Sequence, residues 1–141
     1  MTASSKPRVL LISGLACVYW LALFVGTHIP SVGLGDSHWL DKLVHAAAYF
    51  GLAVLHCAAA AMIWRHGMAI YLGVFSIAVA YGALDELSQL LVPGRTANFW
   101  DWTADVAGAT CGILVFYLGA VLWKRWPSKG KDLDSRALPL N

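Results

Sequence analysis

Four long apolar stretches constrain this chain more than any other feature of its sequence. A helix needs on the order of 20 mainly apolar residues to cross about 30 Å of hydrocarbon. Strands of a membrane barrel are about ten residues long and alternate polar with apolar residues. The stretches therefore predict transmembrane helices at about 9–27, 39–64, 68–92 and 98–123. The expected fold is an all-α, polytopic four-transmembrane-helix bundle.

The expected domain organisation is a cytoplasmic segment 1–8, one membrane domain 9–126 and a polar cytoplasmic tail 127–141. The first stretch follows Lys6 and Arg8, as the apolar region of a signal peptide would. Its apolar run is long for that role, and Val25-Gly26-Thr27 is a poor cleavage site. We therefore expect the chain to retain this stretch as a membrane helix.

The composition supports a membrane location and excludes other classes of protein. Residues of the set AVILMFWYC make up 59% of the 141 residues, and charged residues 13%. Soluble proteins average roughly 45–50% apolar residues, with glycine included, and roughly 25% charged residues. A net charge of +2 excludes a broad basic face for nucleic acid. Cys17, Cys57 and Cys111 lie inside apolar runs, so we interpret them as packing residues.

The basic residues predict how the bundle is oriented, because cytoplasmic loops retain lysine and arginine. One side of the predicted membrane domain carries Lys6, Arg8, Arg65, Lys124, Arg125, Lys129, Lys131 and Arg136. The opposite side carries only Lys42 and Arg95. The sequence thus predicts a multi-pass protein of the cell membrane with both termini in the cytoplasm.

Short connections between the stretches predict antiparallel helices in contact. Gly108 and Gly112 lie four residues apart on the fourth helix, a spacing that lets two helix backbones approach closely. This face could pack inside the bundle or form a homodimer. The sequence does not separate these two uses.

Most polar residues of the membrane domain converge on the outer end of the predicted bundle. An ionisable group inside a membrane costs roughly 2.5–3.5 kcal/mol to insert, so it normally faces the interior and indicates function. We predict His45, Asp85 and Glu86 as catalytic candidates, and Asp41, Gln89, Arg95, Asp101 and Asp105 as ligand-binding candidates. Asp85 and Glu86 are about 100° apart on a helix, so only one of them is expected to face the cluster directly.

Structural roles compete with functional ones for several of these residues. Lys42 is expected to extend towards the lipid headgroups. Arg95 could belong to an ion-pair network with Asp85, Glu86 or Asp105, and His56 is expected to be a hydrogen-bonded interior histidine. His45 with nearby carboxylates would supply nitrogen and oxygen ligands to a metal. The chain has no HExxH or CxxC motif, however, so no metal and no cofactor are assigned.

Two motifs resemble a known family. Asp41-Lys42 with His45 and Tyr49 forms a DK..H...Y block. Asp85-Glu86 with Gln89 and Pro93-Gly94-Arg95 forms a DE..Q...PGR block, followed by Asp101, Gly108 and Gly112. This segment, from Trp39 to Trp123, resembles the VanZ-like family of small integral membrane proteins. The family usually has asparagine where this chain has Asp105, which adds a negative charge at the site.

The resemblance implies a role in the cell envelope, since the family is named for a protein associated with low-level teicoplanin resistance. The first function we consider is the binding or modification of an anionic envelope ligand held by Arg95. Its partners would be membrane lipid, a cell-wall precursor or the glycopeptide, and not nucleic acid. The alternative is an intramembrane hydrolase or transferase, with His45 as a base oriented by Asp41 and Glu86 or Asp85 as the acid. A small transporter or scaffold subunit is a further alternative.

Overall fold

The computed structural model describes residues 6–29, 38–64 and 67–125. These residues form helices α1 (Lys6–His28), α2 (His38–Ile63), α3 (Met68–Gln89) and α4 (Phe99–Arg125), and they contain no strand. All four helices are long and apolar enough to cross a membrane. The predicted all-α membrane bundle is therefore confirmed. The polar tail from residue 127 onwards lies outside the described residues.

The helix boundaries differ most from the predicted ones at the start of α1, which begins three residues earlier at Lys6, and at the end of α3. Helix α3 stops at Gln89 instead of continuing to Val92, because the following residues form turns that lead into Pro93. The Arg95 N–H donates to the Val92 carbonyl at 3.1 Å, and Gly94 has a φ of 79°. Proline followed by glycine at these positions is typical of a type II turn. The turn places Arg95 beside the end of the bundle.

Helix α4 begins where a side-chain cap is available. The Asn98 Oδ1 atom accepts a hydrogen bond from the Trp100 backbone N–H at 3.0 Å, as is typical of asparagine at an N-cap. The helix extends to Arg125, two residues beyond the predicted end. Lys124 and Arg125 favour this extension because positive charge stabilises the C-terminal end of a helix dipole.

The closest helix pair is α2 with α4, and glycine makes the approach possible. A Cβ atom added at Gly108 would overlap the backbone of Ala46 on α2. One added at Gly112 would lie 2.6 Å from the Phe50 carbonyl oxygen. Helix backbones approach this closely only over residues without side chains. The glycine face is therefore occupied inside the bundle, which decides between the two uses left open by the sequence.

The apolar core is formed mainly by residues of α2 and α3, with one residue of α4. Its buried residues are Tyr49, Leu52, Ala53, Cys57, Val74, Ala78 and Ala109. Cys57 is fully buried, which confirms its packing role, whereas Cys17 and Cys111 lie on exposed helix faces and not in the packed core. Most large apolar side chains outside this core are exposed on the surface of the bundle, as expected for surfaces that face lipid.

Candidate functional site

The buried polar side chains of the described residues gather at one end of the bundle. They are His45, Asp85, Glu86, Gln89, Asp101 and Asp105. This end is formed by the last turns of α1 and α3 and the first turns of α2 and α4, and we call it the polar end. The structure therefore brings together the polar residues that the sequence predicted to converge.

A cluster of three side chains forms the innermost part of the polar end. His45 Nδ1 lies 3.0 Å from Asp105 Oδ1, and Asp105 is fully buried. One potential ligand atom from each of His45, Glu86 and Asp105 lies within 4.8 Å of the other two. Helices α2, α3 and α4 each contribute one member. The cluster therefore exists only when these three helices are packed together.

Backbone and side-chain donors hold Glu86 in this cluster. Its Oε2 atom accepts a hydrogen bond from the Asn98 backbone N–H at 2.7 Å. Its Oε1 atom accepts one from Gln89 Nε2 at 3.4 Å. Gln89, predicted to bind ligand, thus supports two carboxylates, because the same Nε2 also donates to Asp85 at 3.1 Å.

Asp85 faces helix α1 and does not join the cluster. Its Oδ1 atom accepts a hydrogen bond from Thr27 Oγ1 at 2.9 Å and lies 3.9 Å from His28 Nδ1. The prediction that only one of the two adjacent acids faces the cluster is consistent with this arrangement, since Glu86 is that acid. A direct role for Asp85 beside His45 is not supported.

Sequence reasoning missed the contribution of α1 to the polar end. His28 Nε2 lies 2.9 Å from Ser88 Oγ, and the His28 Nδ1–H group donates to the Phe24 carbonyl at 2.7 Å. The sequence feature that could have indicated this contribution is the pair of polar residues Thr27 and His28 at the end of a long apolar run. Nothing in the sequence showed that this end of α1 lies against α3.

An ion pair joins the first turns of α2 and α4. Lys42 Nζ donates to Asp101 Oδ1. The expectation that Lys42 extends towards the headgroups is therefore wrong, because a partly buried carboxylate is within its reach. Asp41 is exposed, yet an oxygen of its side chain lies within 4.8 Å of ligand atoms of His45 and Asp101.

Two predicted pairings at the polar end are also wrong. The partner that orients His45 is Asp105 and not Asp41, since Asp105 accepts the hydrogen bond at Nδ1. Arg95 forms no ion pair with a carboxylate of the described residues. Its Nε and Nη2 groups donate to the Ile29 carbonyl at 3.3 and 3.2 Å, because the turn directs its side chain towards the end of α1.

Several buried polar atoms lack a hydrogen-bond partner within the described part of the chain. They are Asp105 Oδ2, Tyr49 Oη and Trp20 Nε1. A buried polar group without a partner costs about 1–3 kcal/mol. The carboxylate is the most costly of the three to leave unpaired because it carries charge. Such groups require an explanation beyond the packing of helices.

The opposite end of α2 and α3 carries an apolar groove that is separate from these groups. His56 lines this groove together with small apolar residues such as Ala60 and Gly73. The His56 Nδ1–H group donates to the Leu52 carbonyl at 2.8 Å, which confirms the predicted hydrogen bond of this half-buried histidine. Chemistry is therefore expected at the polar end and not in this groove.

The family comparison covers most of the chain. A sequence model described as VanZ/LLP1 matches residues 9–123, which include all the residues of the polar end. No curated protein and no solved structure matches the chain significantly. The matched region contains every membrane-spanning helix core and both polar motifs. On this evidence the chain belongs to the VanZ/LLP1 family of membrane proteins.

Proposed function

We propose that this protein binds or modifies a lipid-linked or cell-wall ligand of the envelope at its polar end. The observation that carries the proposal is the buried polar end itself. Four buried carboxylates, one of them with an unpartnered oxygen, together with a histidine and a glutamine, exceed what is needed to hold four helices together. Family membership supports an envelope role, and low-level teicoplanin resistance is the phenotype through which we would detect it.

Arg95 is the residue best placed to meet an anionic group of the ligand. It is half-buried at the edge of the polar end, which we call the rim, and its contact with Ile29 uses Nε and Nη2. Within the described residues its Nη1 group has no hydrogen-bond acceptor. Guanidinium groups bind phosphate and carboxylate through a planar set of donors. The interior carries mainly carboxylates, so it suits the hydroxyl, amide or cationic parts of a ligand better than a second anion.

Replacing Arg95 tests this function. We expect Arg95→Ala to return the teicoplanin susceptibility of a susceptible bacterial host to that of cells without the protein, because the rim loses its free donors. Arg125→Ala is the matched control, since it removes an exposed arginine at the other end of α4. Susceptibility is compared at equal membrane levels of each variant. An Arg95→Ala strain indistinguishable from the intact one would contradict a role for this residue.

The proposal places the polar end outside the cytoplasm and both termini inside it, following the distribution of basic residues. In a background with the native cysteines replaced by alanine, we expect Ala97→Cys to react with a membrane-impermeant maleimide in intact cells. Pro7→Cys, at the opposite end of the bundle, should react only after permeabilisation. Both positions are exposed in the structure. The reverse labelling pattern would invert the proposed orientation.

A second function is favoured by the contact between His45 and Asp105. A carboxylate accepts the Nδ1–H hydrogen bond and leaves Nε2 as the basic nitrogen of the imidazole. Such a pair can remove a proton from water or from a ligand hydroxyl, while Glu86 supplies a proton to a leaving group. An intramembrane hydrolase or transferase would use this arrangement. A phenotype lost in His45→Ala but retained in Arg95→Ala would favour this second function over simple binding.

A further inference from the structure

We propose that His45, Glu86 and Asp105 bind one divalent transition-metal ion of the Zn²⁺ type. This inference extends beyond the proposed function and does not depend on any envelope ligand. The sequence did not assign a metal because these three residues are far apart in the chain and match no metal motif. The packing of α2, α3 and α4 brings them together.

The ligand set suits a borderline metal ion. Imidazole nitrogen and carboxylate oxygen are both ligands that Zn²⁺ accepts, at bond lengths of about 2.0–2.2 Å. Such bonds place neighbouring ligand atoms about 3–4 Å apart. The three side chains offer atoms that all lie within 4.8 Å of one another. Small side-chain rotations would therefore complete the coordination.

The unpartnered oxygen of Asp105 is independent evidence for a ligand. Asp105 Oδ1 lies within hydrogen-bond distance of His45 Nδ1. Asp105 Oδ2 is completely buried and has no hydrogen-bond partner within the described residues. The Tyr49 hydroxyl, one helical turn after His45, is likewise buried without a partner. A metal ion would satisfy Oδ2, and a water bound to that ion could reach the Tyr49 hydroxyl.

Charge balance also favours a dication. Two carboxylates of the cluster lie in a buried part of a membrane protein, where uncompensated negative charge is costly. Lys42 is paired with Asp101, and Arg95 is directed to Ile29. Among the described residues only His45, when protonated, places a positive charge beside Asp105, and one imidazolium does not balance two carboxylates. A divalent ion bound to two carboxylates and a neutral imidazole forms a site with no net charge.

Hydrogen bonds from neighbouring groups position the metal ligands, as in known metal sites. His45 Nδ1 lies 3.0 Å from Asp105 Oδ1, so an ion held by both residues would bind Nδ1 and replace this hydrogen bond. The Asn98 N–H and Gln89 Nε2 groups hold the two oxygens of Glu86. Three protein ligands leave at least one coordination position open, as in catalytic zinc sites. That position could take a water or an oxygen of an incoming ligand.

Metal binding to the purified full-length chain tests this proposal. The protein is extracted in detergent, stripped with a chelator, dialysed against ZnCl₂ and measured by elemental analysis. We expect one zinc per chain, and at least about tenfold weaker binding in Asp105→Asn and Glu86→Gln. Asp85→Asn is the matched control, since it neutralises an equally buried acid outside the cluster. Size-exclusion elution and thermal unfolding establish that each variant is folded.

A second measurement requires no variant. X-ray absorption of the zinc-loaded wild-type protein should show a first shell of nitrogen and oxygen at about 2.0–2.2 Å. A shell containing sulfur, or less than stoichiometric zinc in the wild type, would overturn the proposal. So would equal loss of zinc in the Asp85→Asn control. Loss in Asp41→Asn with retention in Glu86→Gln would instead place the metal between Asp41, His45 and Asp101.

Discussion

Gly108→Ala should destabilise the bundle more than any other single-methyl change on α4. The added Cβ would overlap the backbone of Ala46, and a backbone cannot rotate away as a side chain can. Overpacking of a core typically costs about 1–3 kcal/mol and occasionally more. We expect a loss of free energy of unfolding of about 3 kcal/mol or more. Thermal unfolding in detergent, followed by intrinsic fluorescence, measures the effect.

Gly119→Ala provides the control for this prediction, because nothing lies within 4 Å of the Cβ that it adds. Both substitutions replace glycine by alanine on the same helix, so their effects on helix propensity are similar. We expect Gly119→Ala to retain or slightly increase stability. Equal unfolding temperatures for the two variants would show that α2 and α4 do not pack as described.

The same substitution should also disrupt the polar end. Ala46 follows His45 directly, and Gly108 lies one helical turn after Asp105. Forcing the backbones apart at Ala46 and Gly108 therefore separates the two side chains whose atoms lie 3.0 Å apart. We expect Gly108→Ala to lose zinc binding together with stability. Gly119→Ala should lose neither.

Lys42→Met should produce the second large loss of stability. It keeps the length of the aliphatic chain and removes the charge that pairs with Asp101. The Asp101 side chain is 11% exposed and that of Lys42 is 25% exposed. Removing one partner of a buried pair costs about 3–5 kcal/mol. Because this pair is partly solvated, we expect a smaller loss of about 1–3 kcal/mol in detergent unfolding experiments.

A second substitution distinguishes loss of the ion pair from loss of packing. Asp101→Asn in the Lys42→Met background removes the carboxylate that the first change leaves unpaired, so part of the stability should return. Lys124→Met is the matched control at the other end of the bundle. If the double variant is as unstable as the sum of the two single variants, Lys42 and Asp101 do not interact.

The sequence predicted the membrane helices well, because spanning a bilayer imposes a minimum length and a low charge content. The cap at Asn98 and the turn at Pro93-Gly94 can also be predicted from the sequence, since both depend on residues that are neighbours in the chain. The end of α3 was placed three residues too late. Hydropathy continues to Val92, whereas the regular hydrogen bonding of the helix stops at Gln89.

The hydrogen-bond partners of the side chains in the polar end could not be predicted from residues that are neighbours in the chain. Asp41 is the nearest acid to His45 along α2, yet the carboxylate that accepts the His45 hydrogen bond is that of Asp105 on α4. Arg95 lies in sequence between two acidic segments, yet its donors contact Ile29 at the end of α1. Each of these pairings depends on the rotation of one helix relative to another, which helical periodicity along one segment does not define.

The sequence by itself determined that this is a four-helix membrane protein whose polar residues share one end, because lipid requires apolar helices and burial of charge requires polar groups to converge. Only the tertiary structure decided which of those groups meet. The glycine face of α4 packs against α2, so Asp105 lies against His45, while Asp85 is directed to α1 and Glu86 to the cluster. Close backbone contact sets the rotation of these helices, and that rotation assembles the site.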